Sequence, residues 1–274
     1  MSAAWTSSLR RLVPEPLRAG LRAAFGWRWF EGNYPDWAVA QAASGGYDRE
    51  EIVARVLAAT RRVKAGEAAF ERDGVCFDEP LPEPGLLAAL QAVATASGGS
   101  LRVLDFGGAL GTTYWRHRAA LPPAGGLRWD VVEQARWVEQ GREVAAGTPL
   151  RFFATVGEAE ADGRHDLLLA STVVQYLPEP GAAIDDWMAR GFPWLLFNNL
   201  PLHRGAPDRI AVQRVPPSIY PASYPVWFFN RERFLERFAG QYDVVSEFAA
   251  EAVWPVGWGR YPSTGLLLRR REAR

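Results

Sequence analysis

The sequence has few residues that could cross-link or anchor the chain: one cysteine, one lysine and three histidines among 274 residues. Cys76 has no second cysteine to pair with, so no intramolecular disulfide can form, which fits a reducing compartment. No apolar run approaches the ~20 residues that a membrane-spanning helix needs. The first 30 residues do not resemble a secretory signal, because Pro14 and Pro16 interrupt the apolar stretches. We therefore expect a cytoplasmic protein.

The chain also has no excess of charge of either sign, since Lys+Arg and Asp+Glu number 31 each. A neutral chain lacks the broad positive field that attracts nucleic acid, so no DNA or RNA partner is expected. With 48% hydrophobic residues the composition is ordinary for a soluble globular protein. The length suits one large α/β domain with a smaller cap.

Basic residues are concentrated near the N-terminus. Residues 5–30 contain five arginines and one glutamate: Arg10, Arg11, Arg18, Arg22, Arg28 and Glu15. Leu17, Leu21 and Phe25 fall at helical spacing in the same stretch. Basic residues opposite an apolar stripe suit peripheral contact with an anionic membrane, here its inner face, and the same stripe equally suits packing on the main domain.

The chain divides into a predicted helical cap, residues 1–96, and a main domain, residues 97–274. We predict helices near Leu17–Phe25, over Asp48–Glu71 with Asp48 as its cap, and over Leu86–Ala96. Aromatic residues between the first two helices are predicted to pack the cap onto the main domain: Trp27, Trp29, Phe30, Tyr34 and Trp37.

In the main domain, short apolar runs alternate with helical stretches, a pattern typical of a parallel sheet with helices on both faces. The predicted parallel strands are Leu101–Phe106, Trp129–Val132, Arg151–Phe153, Asp166–Ala170 and Trp194–Phe197. A helix near Arg231–Phe238 and two strands, Tyr242–Phe248 and Gly265–Arg269, complete the pattern. The link between these two strands contains prolines and glycines, which indicates a loop and an antiparallel pair.

The motif LDFGGALGTTYW, residues 104–115, carries the strongest functional signal. A strand ends at an acidic residue, a glycine-rich turn follows and a helix begins; the candidate ligand-binding residues are Asp105, Gly107, Gly108, Ala109, Gly111 and Thr112. Such turns let the backbone approach a nucleotide closely. The acidic residue would repel a pyrophosphate and suits the ammonium of S-adenosylmethionine.

Two further strand ends add candidates. Glu133 follows the second strand, where a carboxylate can accept both hydroxyls of a ribose, and Gln134 follows it. The fourth strand leads into Ser171, Thr172 and Tyr176 at the crevice where open α/β sheets bind ligands. The first two are predicted to contact the cofactor, and Tyr176 is predicted to orient the reacting groups.

These motifs, together with Phe70–Asp73, Gly32–Trp37, Gly46–Asp48 and residues 212–228, resemble a bacterial family of S-adenosylmethionine-dependent methyltransferases with no established acceptor. The resemblance spans residues 27–250. It implies a Rossmann-like class I methyltransferase sheet with an antiparallel last strand, cofactor binding through Asp105, Gly107, Gly111 and Glu133, and frequent occurrence near genes of surface-glycan biosynthesis. One departure is Asn198-Asn199 after the fifth strand, where an acidic residue and an arginine are expected.

The absence of certain motifs narrows the range of possible methyl acceptors. No Asn-Pro-Pro-Tyr loop follows the fourth strand, which disfavours methylation of a flipped base. Lys64 is the only lysine, which excludes a lysine-based site for ribose methylation. Asp185-Asp186 and Asn198-Asn199 hint at a metal, but Ser171 stands where the first carboxylate ligand would lie, so no metal is predicted. An oxygen acceptor on a glycan, a glycan precursor or another small molecule is left.

A hydroxyl acceptor must lose its proton, and His203, after the fifth strand, is the predicted general base. Residues 202–229 are predicted to form an aromatic lid over the acceptor. Its candidate contacts are Gln213, Tyr220, Tyr224 and Trp227, and a simple packed insertion is an equal alternative.

Two other functions remain compatible with the sequence. A nicotinamide-dependent oxidoreductase would use a similar glycine turn, although Asp105 and the antiparallel end argue against it. A protein of the methyltransferase fold that binds the cofactor or a partner without catalysis is the third hypothesis.

Overall fold

The structure, a computed structural model, describes residues 29–46, 50–81, 83–205, 207–215, 222–256 and 259–272. Within these residues the chain forms thirteen strands and eight α-helices. The strands are β1 Phe30–Tyr34, β2 Phe70–Arg72, β3 Val75–Phe77, β4 Leu101–Phe106, β5 Leu127–Val132, β6 Leu150–Phe153, β7 Leu167–Ser171, β8 Trp194–Leu200, β9 Leu202–His203, β10 Arg209–Arg214, β11 Ser223–Asn230, β12 Tyr242–Val256 and β13 Gly259–Arg270. The helices are α1 Trp37–Ala42, α2 Glu50–Lys64, α3 Pro84–Ala96, α4 Thr112–His117, α5 Ala135–Ala145, α6 Val156–Glu160, α7 Pro180–Arg190 and α8 Arg231–Glu236.

Eleven strands form one sheet in the order β6-β5-β4-β7-β8-β13-β12-β1-β10-β11-β9. Strands β4 to β8 pair in parallel, whereas β13 lies antiparallel between β8 and β12. The first seven strands in this order make a Rossmann-like class I methyltransferase sheet, with the reversed last strand inserted beside the fifth. The predicted fold class is therefore confirmed.

Helices cover both faces of the parallel strands, and alternate residues of each strand point into different cores. Leu169 of β7 joins the core under α2, α3 and α5, whereas Leu168 joins the core under α7 and α8. Both leucines are fully buried. Burial on both faces explains why these strands appear in the sequence as continuous apolar runs, and it aligns their carboxyl ends along one edge of the sheet.

The N-terminal region is less helical than predicted. Helices α2 and α3 confirm two predicted helices, although α2 ends at Lys64 and its predicted cap, Asp48, lies outside the described residues. Two segments of the predicted helical cap form strands instead: the stretch predicted between the first two helices, and the residues at and after the predicted end of the second helix. β1 joins the large sheet between β12 and β10, and β2 and β3 form a separate hairpin whose turn, Asp73-Gly74, has positive φ at both residues.

The membrane-contact prediction for residues 5–30 concerns a stretch that lies almost entirely outside the described residues, so it stays a prediction. No helix in the described part of the chain is long and apolar enough to cross a membrane.

The described residues of the insertion after β8 contribute three strands to the large sheet, and the predicted lid stays a prediction. β10 pairs with β1 on one side and with β11 on the other, and β11 pairs with β9. Residues 216–221, including the predicted acceptor contact Tyr220, lie outside the described residues. Apolar residues buried on both faces explain these strands. Ala211, Val226 and Phe228 pack with Phe30 and Trp254, whereas Ile210 and Val212 pack with Ala40.

The C-terminal link that we predicted to be a loop continues the hairpin of β12 and β13. Their register runs from Tyr242 opposite Arg270 to Val256 opposite Gly259, with irregular register at Val244–Ser246 and Ala249–Val253. A long antiparallel hairpin tolerates prolines at such irregular or edge positions, which is why the prolines did not interrupt it.

Candidate active site

The glycine turn after β4 has the backbone shape that the motif predicted. Gly107, Ala109 and Gly111 all have positive φ, and the N–H of Gly111 donates to the carbonyl of Gly108. A Cβ on Gly107 would lie 2.4 Å from Cγ2 of Val173, so a side chain does not fit there. The turn therefore packs its backbone directly against the segment that follows β7.

Asp105 lies beneath this turn and not on its surface. Its side chain is fully buried, Oδ2 accepts a hydrogen bond from Trp129 Nε1 at 2.9 Å, and Oδ1 has no partner among the described residues. A Cβ on Gly108 would lie 2.5 Å from the carboxyl group. Burial, with the like charge of Glu133, raises the pKa of Asp105 to about 7. The structure places Asp105 under the turn, and its direct contact with an ammonium stays a prediction.

Glu133 is brought to the same turn from the end of β5. One carboxylate oxygen accepts from the N–H of Ala109 at 3.3 Å, and the other accepts from the N–H of Gln134 at 2.9 Å. Burial raises the pKa of Glu133. Each carboxylate oxygen keeps acceptor capacity beyond these bonds. The structure thus joins two of the predicted strand-end carboxylates at one glycine turn.

A third carboxylate at the turn comes from the N-terminal hairpin, and no role for it was predicted from the sequence. Glu71 of β2 is 1% exposed, and it accepts hydrogen bonds from Thr112 Oγ1 at 2.5 Å and from the N–H of Gly74 at 3.1 Å. Burial raises the pKa of Glu71. Thr112 is the first residue of α4, so the hairpin fixes the start of the helix that follows the turn.

A second link between the N-terminal region and α4 runs through Arg116. Its side chain is 4% exposed, it pairs with Glu83 and with Glu251 at 2.5 Å each, and it lies 4.6 Å over the ring of Phe70. The other oxygen of Glu83 accepts from Asn198 Nδ2 at 2.9 Å. The end of the fifth strand is thus joined through Glu83 to the buried Arg116 of α4.

The ends of β7 and β8 present a group of polar side chains. Ser171 pairs in register with Asn198, whose Nδ2 lies 3.2 Å from Ser171 Oγ. The next residue on each strand, Thr172 and Asn199, has a positive φ, and their side chains are hydrogen-bonded at 3.1 Å. Ser171 and Thr172 therefore lie at the joined ends of β7 and β8, and their contact with a cofactor stays a prediction.

Three of the predicted acceptor-site residues lie together. Tyr176 donates from its hydroxyl to Gln213 Oε1 at 2.7 Å, and its ring meets Tyr224 edge to face at 5.2 Å. Trp227 instead stacks on Trp37 and donates to the carbonyl of Leu177 at 3.1 Å. The contacts of Trp227 pack α1 onto the sheet, which favours the packing interpretation for that residue.

His203 does not stand at the mouth of the crevice. It is 4% exposed, its Nε2 lies 3.3 Å from the carbonyl of Phe228, and its ring lies 5.4 Å from that of Tyr261. The predicted location is wrong because β9 follows β8 directly and pairs with β11, which buries the histidine among aromatic residues.

The acidic pair that hinted at a metal is engaged in ion pairs. Asp185 bonds to Arg237 and Asp186 bonds to Arg190. Among the described residues there is no group of three or more His, Cys, Asp or Glu that could hold a metal ion.

No protein-family model matches the chain, and no curated protein matches it. Among solved structures, the chain is similar to the N-terminal domain of EvdMO1 in the presence of SAH and D-fucose, with 19% identity and a TM-score of 0.46 over 82% of this chain and 98% of that chain. Magnesium protoporphyrin IX methyltransferase (ChlM) from Synechocystis PCC 6803 with bound SAH shares 14% identity, with a TM-score of 0.45 over 68% of this chain and 83% of that chain. SAM-bound CalS10, an amino pentose methyltransferase from Micromonospora echinaspora, shares 16% identity, with a TM-score of 0.40 over 68% of this chain and 91% of that chain. At these identities and TM-scores the likeness does not bear on function.

Proposed function

We propose that the protein is an S-adenosylmethionine-dependent methyltransferase. The observation that carries this proposal is the meeting of two carboxylates at one glycine turn, with Asp105 beneath Gly108 and Glu133 on the N–H of Ala109. A buried carboxylate whose neighbouring charge is negative favours a cationic ligand over a pyrophosphate. S-adenosylmethionine carries an ammonium and a sulfonium, and its ribose hydroxyls suit the acceptor capacity of Glu133.

The residues of the site have separate roles in this proposal. The turn from Gly107 to Gly111 offers its backbone to the cofactor, Glu133 and Gln134 hold the ribose side, and Ser171 and Thr172 lie toward the methyl group. The cofactor supplies an electrophilic methyl group on sulfur: the acceptor oxygen forms the new C–O bond, the S–C bond breaks with its electron pair on sulfur, and the hydroxyl proton passes to solvent. Asp105 stabilises positive charge near the turn without touching the acceptor.

We infer that the acceptor is a hydroxyl-bearing small molecule, with a glycan or glycan precursor as the first candidate. Tyr176, Gln213 and Tyr224 form a polar and aromatic wall of the kind that suits a sugar ring. With His203 buried elsewhere, holding donor and acceptor in contact is the main catalytic device, and such positioning is worth ~7–11 kcal/mol.

A methyl-transfer assay tests the proposal. The purified protein is incubated with methyl-labelled S-adenosylmethionine and a panel of free sugars, aminosugars and phenols, and label in the products is counted. Transfer to a hydroxyl acceptor supports the proposal. A protein that binds the cofactor product, S-adenosylhomocysteine, but labels no member of any acceptor panel would instead be the non-catalytic binding protein of the same fold.

A further inference from the structure

The ends of β7 and β8 hold the backbone in an unusual conformation at two neighbouring residues. Thr172 and Asn199 each have a φ of 58°, although neither is a glycine. Asparagine tolerates this left-handed region, but a β-branched residue such as threonine is an outlier there. The surrounding structure must therefore hold Thr172 in place against local strain, and strain of this kind concentrates at functional sites.

The contacts around the pair explain how the conformation is held. The N–H of Thr172 donates to the carbonyl of Asn198 at 2.9 Å, which ties the two strand ends together. The Asn199 side chain bridges Thr172 Oγ1 and Ser263 Oγ, at 3.1 Å each. Gln175 Nε2 lies 3.4 Å from the carbonyl of Asn199. Of these contacts only the bond from Asn199 uses the Thr172 side chain, and a serine hydroxyl would accept it equally, whereas glycine would adopt the same backbone without strain.

The neighbours of Thr172 in the chain relate it to the proposed site. It is exposed, whereas Val174 and Gln175 after it are buried. Its neighbour Val173 packs where a Cβ of Gly107 would lie, so Thr172 adjoins the proposed cofactor turn. On the other side, Tyr176 begins the wall with Gln213 and Tyr224. Thr172 is therefore an exposed residue that directly precedes Val173, at the proposed cofactor turn, and lies four residues before Tyr176 in the acceptor wall.

A threonine hydroxyl has one donor and two acceptor positions. Asn199 Nδ2 donates to Thr172 Oγ1, so this bond uses one of the two acceptor positions. At least one lone pair of Thr172 Oγ1 is therefore left to accept a hydrogen bond from a ligand. The side chain is suited to an O–H or N–H group, which the ammonium of the cofactor and the hydroxyl of the acceptor both supply.

Building on the proposed function, we propose that the strained Thr172–Asn199 pair is a substrate-positioning device. Thr172 Oγ1 accepts a hydrogen bond from the acceptor hydroxyl and turns an oxygen lone pair toward the methyl group, while Asn199 and Ser263 hold Thr172 in place. The strain is retained because no residue that relieves it supplies a hydroxyl at this point.

Three variants of Thr172 test this. Thr172→Gly relieves the strain, and we expect its melting temperature to rise by about 2–4 °C in the free protein. Thr95→Gly is the matched control, since Thr95 lies within α3 and glycine lowers the melting temperature there. Thr172→Val removes the hydroxyl and keeps the branched side chain, and Thr172→Ser keeps the hydroxyl. We expect methyl transfer to fall about tenfold or more in the valine and glycine variants and to survive in the serine variant.

S-adenosylhomocysteine titration distinguishes the two sources of the donor group. Unchanged affinity in Thr172→Val with lost transfer assigns the hydroxyl to the acceptor, as proposed. Affinity that falls tenfold assigns it to the ammonium of the cofactor and overturns the acceptor assignment. A lower melting temperature for Thr172→Gly, or a valine variant that matches the parent in both affinity and transfer, overturns the whole inference. If the parent itself binds no S-adenosylhomocysteine, the proposed function fails, while the melting temperatures still report on the strain.

Discussion

The buried carboxyl of Asp105 gives a prediction that needs no substrate, because its ionisation should change the stability of the free protein with pH. The pKa of this group is raised to about 7, mainly by burial, from an ordinary value of 3.8. Between these two values the folded protein keeps a proton that the unfolded chain has released. The stability contributed by the protonated carboxyl is therefore fully present near pH 4 and is lost as the pH rises to about 7.

The perturbation is Asp105→Asn, which keeps an oxygen to accept from Trp129 Nε1 and cannot ionise. The two pKa values are about three units apart, and at about 1.4 kcal/mol per unit the cost of the buried charge is at most ~4 kcal/mol above pH 7. Local relaxation around the charge lowers this figure, so we expect the variant to gain about 1–4 kcal/mol over the parent at pH 8 and much less at pH 4.

Urea unfolding of parent and variant at intervals from pH 4 to pH 8 measures this difference. Asp130 titrates in the opposite sense: burial alone would raise its pKa, but hydrogen bonds from His165, Arg151 and Arg128 outweigh burial and lower it. Its contribution is lost only in acid, and it is common to both proteins, so it cancels in the difference. A stability difference that stays flat from pH 4 to pH 8 would refute the buried-charge account of Asp105.

Two further predictions concern Glu71, which the sequence did not place in the site, and His203, which the sequence placed there and the structure does not. Glu71→Ala removes the bond that fixes Thr112 at the start of α4, so we expect the affinity for S-adenosylhomocysteine to fall about tenfold. Calorimetry measures this affinity, with the exposed Glu67→Ala as the control. Equal affinity in both variants would show that the hairpin has a packing role and no role in cofactor binding. His203→Phe fills the buried position with another ring, and we expect methyl transfer to persist. Loss of transfer in a folded, cofactor-binding His203→Phe protein would support His203 as the general base.

The parts of the fold that the sequence predicted are those determined by local pattern. The five parallel strands appear in the sequence as apolar runs because both of their faces are buried. The turn at Gly107 appears in the sequence as a cluster of glycines. β1 was missed because Phe30–Tyr34 has no partner nearby in the chain and pairs with β10, some 180 residues away. The β2–β3 hairpin was missed although Asp73-Gly74 is a recognised hairpin turn signal.

The candidate site shows the same division. Asp105 and Glu133 could be placed from their spacing after predicted strands. Glu71 and Glu83 could not, because only tertiary packing brings them to α4 and Asn198. The strain at Thr172 is a backbone property that residue identity does not reveal, and the burial of His203 depends on a two-residue strand.

Titration calorimetry of S-adenosylhomocysteine and, in parallel, NAD tests the central claim most directly. We expect micromolar-range binding of S-adenosylhomocysteine to the parent protein and no binding of NAD. Glu133→Ala removes the carboxylate that meets the turn at Ala109, and it should weaken binding by about 1.5–3 kcal/mol, which is roughly 10- to 150-fold. Binding of NAD in place of S-adenosylhomocysteine, or unchanged affinity in a folded Glu133→Ala protein, would contradict the proposed cofactor site.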